Sequence, residues 1–287
     1  MIKNRHSHLA THHLIGHLVL SDLLYVTQSL ITLIIIFYLP DVNENWSFSL
    51  RDTTCKLGIF VWIICYSTSV GTLTVMSIER YRTIIHPTLP KLFGKKLRLV
   101  LLLVWVVSIL LASPSISLAG ADRYNKYDCI LDNQGPKYLI RAYATILNLM
   151  DYVIPLSIML YCYTKIVIKL RKTALVTSRL KKSLTDGDRH VQRVIKMLVF
   201  VTVSFIITAL PWTLGISLIA YSPFNNTETL ITHDETLSIV SQVAQVLSLS
   251  SPLYDPIMYI IANQNFRRDL CQWHSEQKSP IIHIRAS

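Results

Sequence analysis

Glu79 and Arg80 stand side by side, with Tyr81 after them, where a long apolar run that begins near Thr54 gives way to polar residues. A carboxylate beside a guanidinium at such a boundary can anchor a helix at a membrane interface. Asp22 and Asp255 each stand alone within an apolar stretch. A carboxylate at membrane depth is costly unless solvated or paired, so both are functional candidates, with a helix–helix hydrogen bond as the plainer alternative. His12, His13 and His17 gather near the inner start of the first stretch and read as polar packing or interfacial groups rather than metal ligands. No HExxH occurs, and the two aspartates lack the glycine-flanked motif of an aspartyl protease. The chain is not expected to be an enzyme.

The elements that must position these groups are apolar. The chain has 287 residues, of which 51% are hydrophobic and only 16% charged. Six stretches reach the roughly 20 residues needed to cross about 30 Å of hydrocarbon: about 9–39, 54–85, 97–118, 143–170, 194–221 and 237–262. Pro114, Pro155, Pro211, Pro252 and Pro256 fall inside them, where neighbouring helices and side chains can satisfy the freed carbonyls. Nothing suggests a barrel or an internal repeat. The fold class expected is all-α, with a receptor-sized domain over 1–270, an amphipathic helix over about 264–271 and a tail over 272–287.

With connectors assigned alternately to two sides, 22 of the 28 Lys and Arg residues fall on one side. That side is expected to be cytoplasmic and holds both chain ends and the Glu79 end. The net charge of +11 is therefore mostly a topology signal and an attraction to anionic lipid, not a nucleic-acid footprint. The other side is mildly acidic and carries two glycosylation acceptors, Asn45 and Asn225. Of five cysteines only Cys55 and Cys129 fall on this outer side, so one disulfide between them is the economical pairing. Cys65 and Cys162 read as small core residues. Cys271, past the last span, is a palmitoylation candidate.

From Cys55 to Arg80 is 25 residues, roughly 37 Å of helix, which joins the outer surface to the inner. With that spacing, "SIERYRTIIHP" resembles the third helix of rhodopsin-like G protein-coupled receptors. Other segments match in order: "LVLSDLL" the second helix, Trp105 the fourth, "YVIPLSIMLYCY" the fifth, "FIITALP" the sixth and "SPLYDPIMY" the seventh. "WSF", Trp46–Phe48, resembles the first outer loop.

The resemblance implies roles. Glu79 would restrain Arg80 until release lets it enter a cavity that receives a heterotrimeric G protein, with Tyr163 and Tyr259 closing behind it and Tyr81, Asp255 and Pro256 belonging to the same machinery. Phe205 would pivot near Pro155 and Val70, beneath Pro211. Asp22, Ser69, Ser251 and Asp255 would surround a sodium and water pocket, the one ion expected; no organic cofactor is implied. Arrestin is a further expected partner. The plasma membrane is the expected location.

Departures from the pattern matter as well. Met1–Arg5 resembles the first inner connector, so the first of seven helices is expected to be missing. Ala209 stands where the sixth helix normally has Trp, and Val191 where some relatives have an acid that locks the Arg. Trp62 occupies the place of the amine-binding Asp and Leu249 that of the opsin Lys, which disfavours both ligand classes. The outer connector from Gly120 to Tyr138 resembles the hairpin of peptide receptors, and the acidic rim would favour a basic peptide unless those acids are simply solvated. Trp62, Gln242 and Gln245 are candidate pocket residues. The competing readings are a truncated, non-signalling chain that acts on a full-length partner, a transporter and a membrane enzyme.

Overall fold

The computed structural model describes residues 2–37, 47–89, 94–121, 129–130, 136–179, 199–200, 203–207, 209–211, 213–215, 217, 220–221 and 243. Three long helices come first: α1 (Ile2–Phe37), α2 (Phe48–Ile85) and α3 (Lys95–Ala112). A single turn, α4 (Ser115–Leu118), and a two-stranded hairpin, β1 (Gly120–Ala121) with β2 (Cys129–Ile130), follow. Next come α5 (Lys137–Asn148), a π-helical turn at Leu149–Val153 and α6 (Ile154–Arg179). Among the described residues, four segments are long and apolar enough to cross a membrane, and Val203–Gly215 is a shorter apolar helix. The fold is an all-α membrane bundle. Apart from Val243, the expected span at 237–262 lies outside the described residues, as does the tail.

Local chemistry fixes where the elements begin and end. Ser47 caps α2, its hydroxyl accepting from the Leu50 N–H at 3.4 Å, as a serine at that position does for the unpaired first-turn donors. Pro87 disfavours helical backbone at His86, and α2 stops there with His86 at φ −122° and ψ 70°. Lys169 of α6 then donates to two carbonyls of that last turn, Ile84 at 2.6 Å and Ile85 at 3.2 Å. Gly94 starts α3 at φ 59°, a left-handed conformation that glycine adopts without steric cost. Pro114 follows the end of α3 and lacks an N–H, so the predicted span 97–118 is two pieces. Pro155 likewise cannot donate to the Asp151 carbonyl, and the wider π turn accommodates that loss.

The α2 helix is the hub. At 38 residues it is roughly 57 Å long, well beyond the hydrocarbon thickness, and it starts six residues earlier than the predicted apolar span. Lipid tails are as apolar as leucine, so packing, small side chains and hydrogen bonds hold such helices together. Accordingly Ser67, Thr68, Thr72 and Ser77 of α2 are buried, and Gly71 lies so close to α3 that an added Cβ would sit 2.8 Å from Val104 Cγ1. One core cluster joins Leu14 and Leu18 of α1, Val70, Leu73 and Met76 of α2, Met159 and Ile166 of α6, and Phe205. A second, nearer the hairpin, joins Ile63, Ala112, Leu118, Ile140, Tyr143 and Leu147. The outward side chains of α3, including Leu99, Leu102, Leu103 and Leu110, are exposed and apolar, as a lipid-facing surface requires.

Candidate functional site

Positions along α2 order the site from one membrane face to the other. At the hairpin end, Cys55 is disulfide-bonded to Cys129 across a separation of 74 residues, with Cα atoms 5.5 Å apart. One turn earlier, Asp52 accepts from the Ala121 N–H at 3.1 Å and pairs with Lys56 at 2.7 Å. The hairpin is thus held on α2 through both strands, β2 by sulfur and β1 by a carboxylate. Asp52 precedes the apolar span. Burial opposes its charge, yet the hydrogen bonds from Lys56 and Ala121 and the Lys56 charge hold its carboxyl below the usual value.

Deeper in, Trp62 is stacked on Tyr66, with ring centroids 5.9 Å apart and planes 7° from parallel, and it meets Tyr25 of α1 at 6.0 Å. Beside them Ser67 donates to Asp151 Oδ2 at 2.7 Å, and Asp151 is only 7% exposed. Tyr152 packs on Phe205 at 6.0 Å. The sequence marks Trp62 but carries no motif around Asp151, although Asp151 and Asp22 alike are carboxylates inside predicted spans. Phe205 shares a core cluster with Val70, Pro155 is buried, and Pro211 lies in the Val203–Gly215 helix.

At mid-helix Asp22 is 2% exposed. Its Oδ1 accepts from Ser69 at 2.6 Å, Ser21 bonds Ser69 at 3.0 Å, and Oδ2 is buried without a hydrogen-bond partner. Ser69 therefore does meet Asp22. One turn away the His17 ring joins three helices. Trp105 Nε1, which can only donate, donates to His17 Nε2 at 2.7 Å, and His17 Nδ1 lies 3.0 Å from the Thr72 hydroxyl. His17 is thereby a packing group. Among the described residues no cluster of three or more His, Cys, Asp or Glu could hold a metal ion.

At the opposite end Glu79 is 1% exposed, accepts from Thr83 at 3.0 Å through Oε1, and places Oε2 3.6 Å from Arg80 Nε. That separation is an ion pair rather than a hydrogen bond. Tyr81 packs on His86 at 5.7 Å and on Tyr161 at 5.9 Å. Tyr163 is buried and its hydroxyl meets Ser77 at 2.6 Å, a partner the sequence did not suggest. Cys65 and Cys162 are buried free thiols. Ser251, Asp255, Pro256, Tyr259, Gln242, Gln245, Asn45, Asn225, Val191 and Cys271 lie outside the described residues.

A disulfide-pinned hairpin above, buried carboxylates at mid-depth and an Arg held by its neighbouring Glu below form one arrangement along a single helix. The family profile for seven transmembrane receptors of the rhodopsin family matches residues 1–259. The chain belongs to that family. Its members are receptors, and this chain is a multi-pass membrane protein. It is 29% identical over 283 residues to neuropeptide FF receptor 2 of Mus musculus, a match covering 93% of the chain and 65% of that relative. It is 29% identical to neuropeptide Y receptor type 6 of Mus musculus, over 93% of the chain and 72% of the relative. A purinoceptor of Xenopus laevis is 28% identical, over 88% of the chain and 46% of the relative. The chain thus spans just under two thirds of the length of the mouse neuropeptide FF receptor it matches.

Proposed function

We propose that the chain is a plasma-membrane receptor that binds an extracellular peptide and activates a heterotrimeric G protein at its Glu79–Arg80–Tyr81 end. The observation that carries this reading is the buried Glu79, whose Oε2 faces Arg80 at 3.6 Å and accepts no hydrogen bond. An ion pair that imperfect is easily exchanged, because a guanidinium finds better acceptors where they are offered. Ligand binding in the upper bundle shifts the packing of Phe205 and Tyr152 against α2 and α6, and Arg80 leaves Glu79 for the partner. Tyr163, Tyr259, Asp255 and Pro256 serve the same transition, and Tyr81 steadies the inner end. The inner face, rich in Lys and Arg, also suits anionic lipid and arrestin.

The peptide reading draws on the hairpin over α2 and on the names of two of the three relatives above, the third being a purinoceptor. Asp22 and Ser69, with Ser251 and Asp255, are the groups that would hold a sodium ion. The unpartnered, buried Asp22 Oδ2 fits a cation, which would neutralise the carboxylate.

The test is nucleotide exchange on purified G protein by the full chain in nanodiscs, screened against a panel of synthetic neuropeptides. A stimulating peptide is expected, and Arg80→Ala abolishes the exchange while leaving binding of that peptide within a few-fold. Exchange that survives Arg80→Ala would remove Arg80 from the mechanism.

A further inference from the structure

Asp151 has no counter-charge among the described residues. It sits in the π turn, 7% exposed, with Ser67 as its one hydrogen-bond donor among those residues. The sequence sharpens the point: no Lys or Arg lies between Lys56 and Arg80 on α2, between Arg141 and Lys165 on α5 and α6, or anywhere in 9–39, 99–118, 197–221 or 237–262. On α1 the half-buried His17 is already engaged by Trp105 and Thr72, and Asp22 is a further acid. A carboxylate kept for Ser67 alone is uneconomical, because a neutral amide would accept the same hydrogen bond without burying an acid at membrane depth.

The surroundings suit a cation. The Tyr66 hydroxyl is shut away from solvent and has no hydrogen-bond partner among the described residues. Tyr66 adjoins Ser67 on α2, and Tyr152 adjoins Asp151 in the π turn. Tyr66 is stacked on Trp62, Trp62 meets Tyr25, and Tyr152 meets Phe205. Aromatic faces attract ammonium and guanidinium groups as a carboxylate does, and an orphaned phenol oxygen can accept one of their N–H bonds.

We propose that Asp151, with Ser67 and Tyr66, is the counter-ion site for a basic group of the ligand. The inference rests on the reading of the chain as a ligand-binding receptor and narrows the ligand class to cations, against the anionic phosphates a purine nucleotide would bring. Ser67 is 12 residues below Cys55, roughly 18 Å along α2. A lysine or arginine side chain does not span that depth from the rim. An extended peptide covers it in about five or six residues, so one end of the peptide enters the bundle and the basic group lies within those residues.

The full chain in nanodiscs is titrated with 4-phenylbutylguanidine and its neutral isostere 4-phenylbutylurea, with binding read from the shift of the melting transition. The guanidinium is expected to bind roughly 10-fold or more tighter than the urea, the range of a charge-assisted buried hydrogen bond. Asp151→Asn brings the two probes within about twofold. Tyr66→Phe weakens the guanidinium severalfold without lowering the melting temperature, since it removes an unsatisfied hydroxyl; this variant decides the matter if Asp151→Asn fails to fold. Equal affinity for the two probes in the wild-type chain, or a preference that survives Asp151→Asn, overturns the proposal. Peptide-driven exchange at unchanged potency in Asp151→Asn also overturns it but leaves the receptor reading standing. An Asp151-dependent guanidinium preference without any peptide-driven exchange keeps the cation site and removes the peptide-receptor reading.

Discussion

Ser77 and Tyr163 show what one hydroxyl decides inside hydrocarbon. Their 2.6 Å contact joins α2 to α6 two residues before Glu79, and both groups are buried. Ser77→Ala leaves the Tyr163 hydroxyl without that partner and is expected to cost about 1–3 kcal/mol. Adding Tyr163→Phe to that chain is expected to cost less than it does in the wild type, because the two hydroxyls share one contact. Melting curves of the three variants check this, and strictly additive losses would contradict it. Tyr163 was legible because it belongs to a recognisable run with Pro155. Ser77 was not, since a serine in a transmembrane helix ordinarily turns its hydroxyl onto its own backbone. Ser77 does that as well, donating to Leu73 O at 2.9 Å. Asp151 was missed for a different reason: no motif surrounds it, and its meaning emerges only when Ser67 and Tyr66 are seen beside it.

At the scale of elements, the approach of α2 to α3 turns on Gly71. A Cβ there would meet Val104 Cγ1 at 2.8 Å, and valine is too stiff at χ1 to move aside freely. Gly71→Ala is expected to lose about 1–3 kcal/mol, with Val104→Ala in the same chain restoring most of it. A Gly71→Ala chain that melts like the wild type would show that the helices separate at little cost. Apolar runs marked four of the described spans, but hydropathy registers the hydrocarbon-length part of a helix and not its ends. It therefore missed the outer extension of α2 to Phe48, which Ser47 caps, and the break at Pro114. The π turn was also hidden, because Pro155 signals a lost hydrogen bond without specifying how the helix absorbs it.

For the whole molecule, α2 carries a hairpin at its outer end and a charge pair at its inner end. The hairpin has two independent tethers, and the sequence suggested only the disulfide; the bond from Ala121 to Asp52 depends on the path of the loop. Asp52 has a depressed folded-state pKa, so its contribution is present above the unfolded carboxylate value of about 4 and is lost as pH falls through the folded value. Melting of the wild type against Asp52→Asn should show a wild-type advantage at pH 7 that declines as pH falls below about 4. An advantage independent of pH would mean that the charge is not what holds β1. Whether Glu79 restrains Arg80 is read from basal nucleotide exchange by Glu79→Gln, compared with the wild type and Arg80→Ala in the same nanodiscs without ligand. Glu79→Gln is expected to raise exchange severalfold, and Arg80→Ala to fall to the level of empty discs. A folded Glu79→Gln chain that exchanges at the wild-type rate would contradict it.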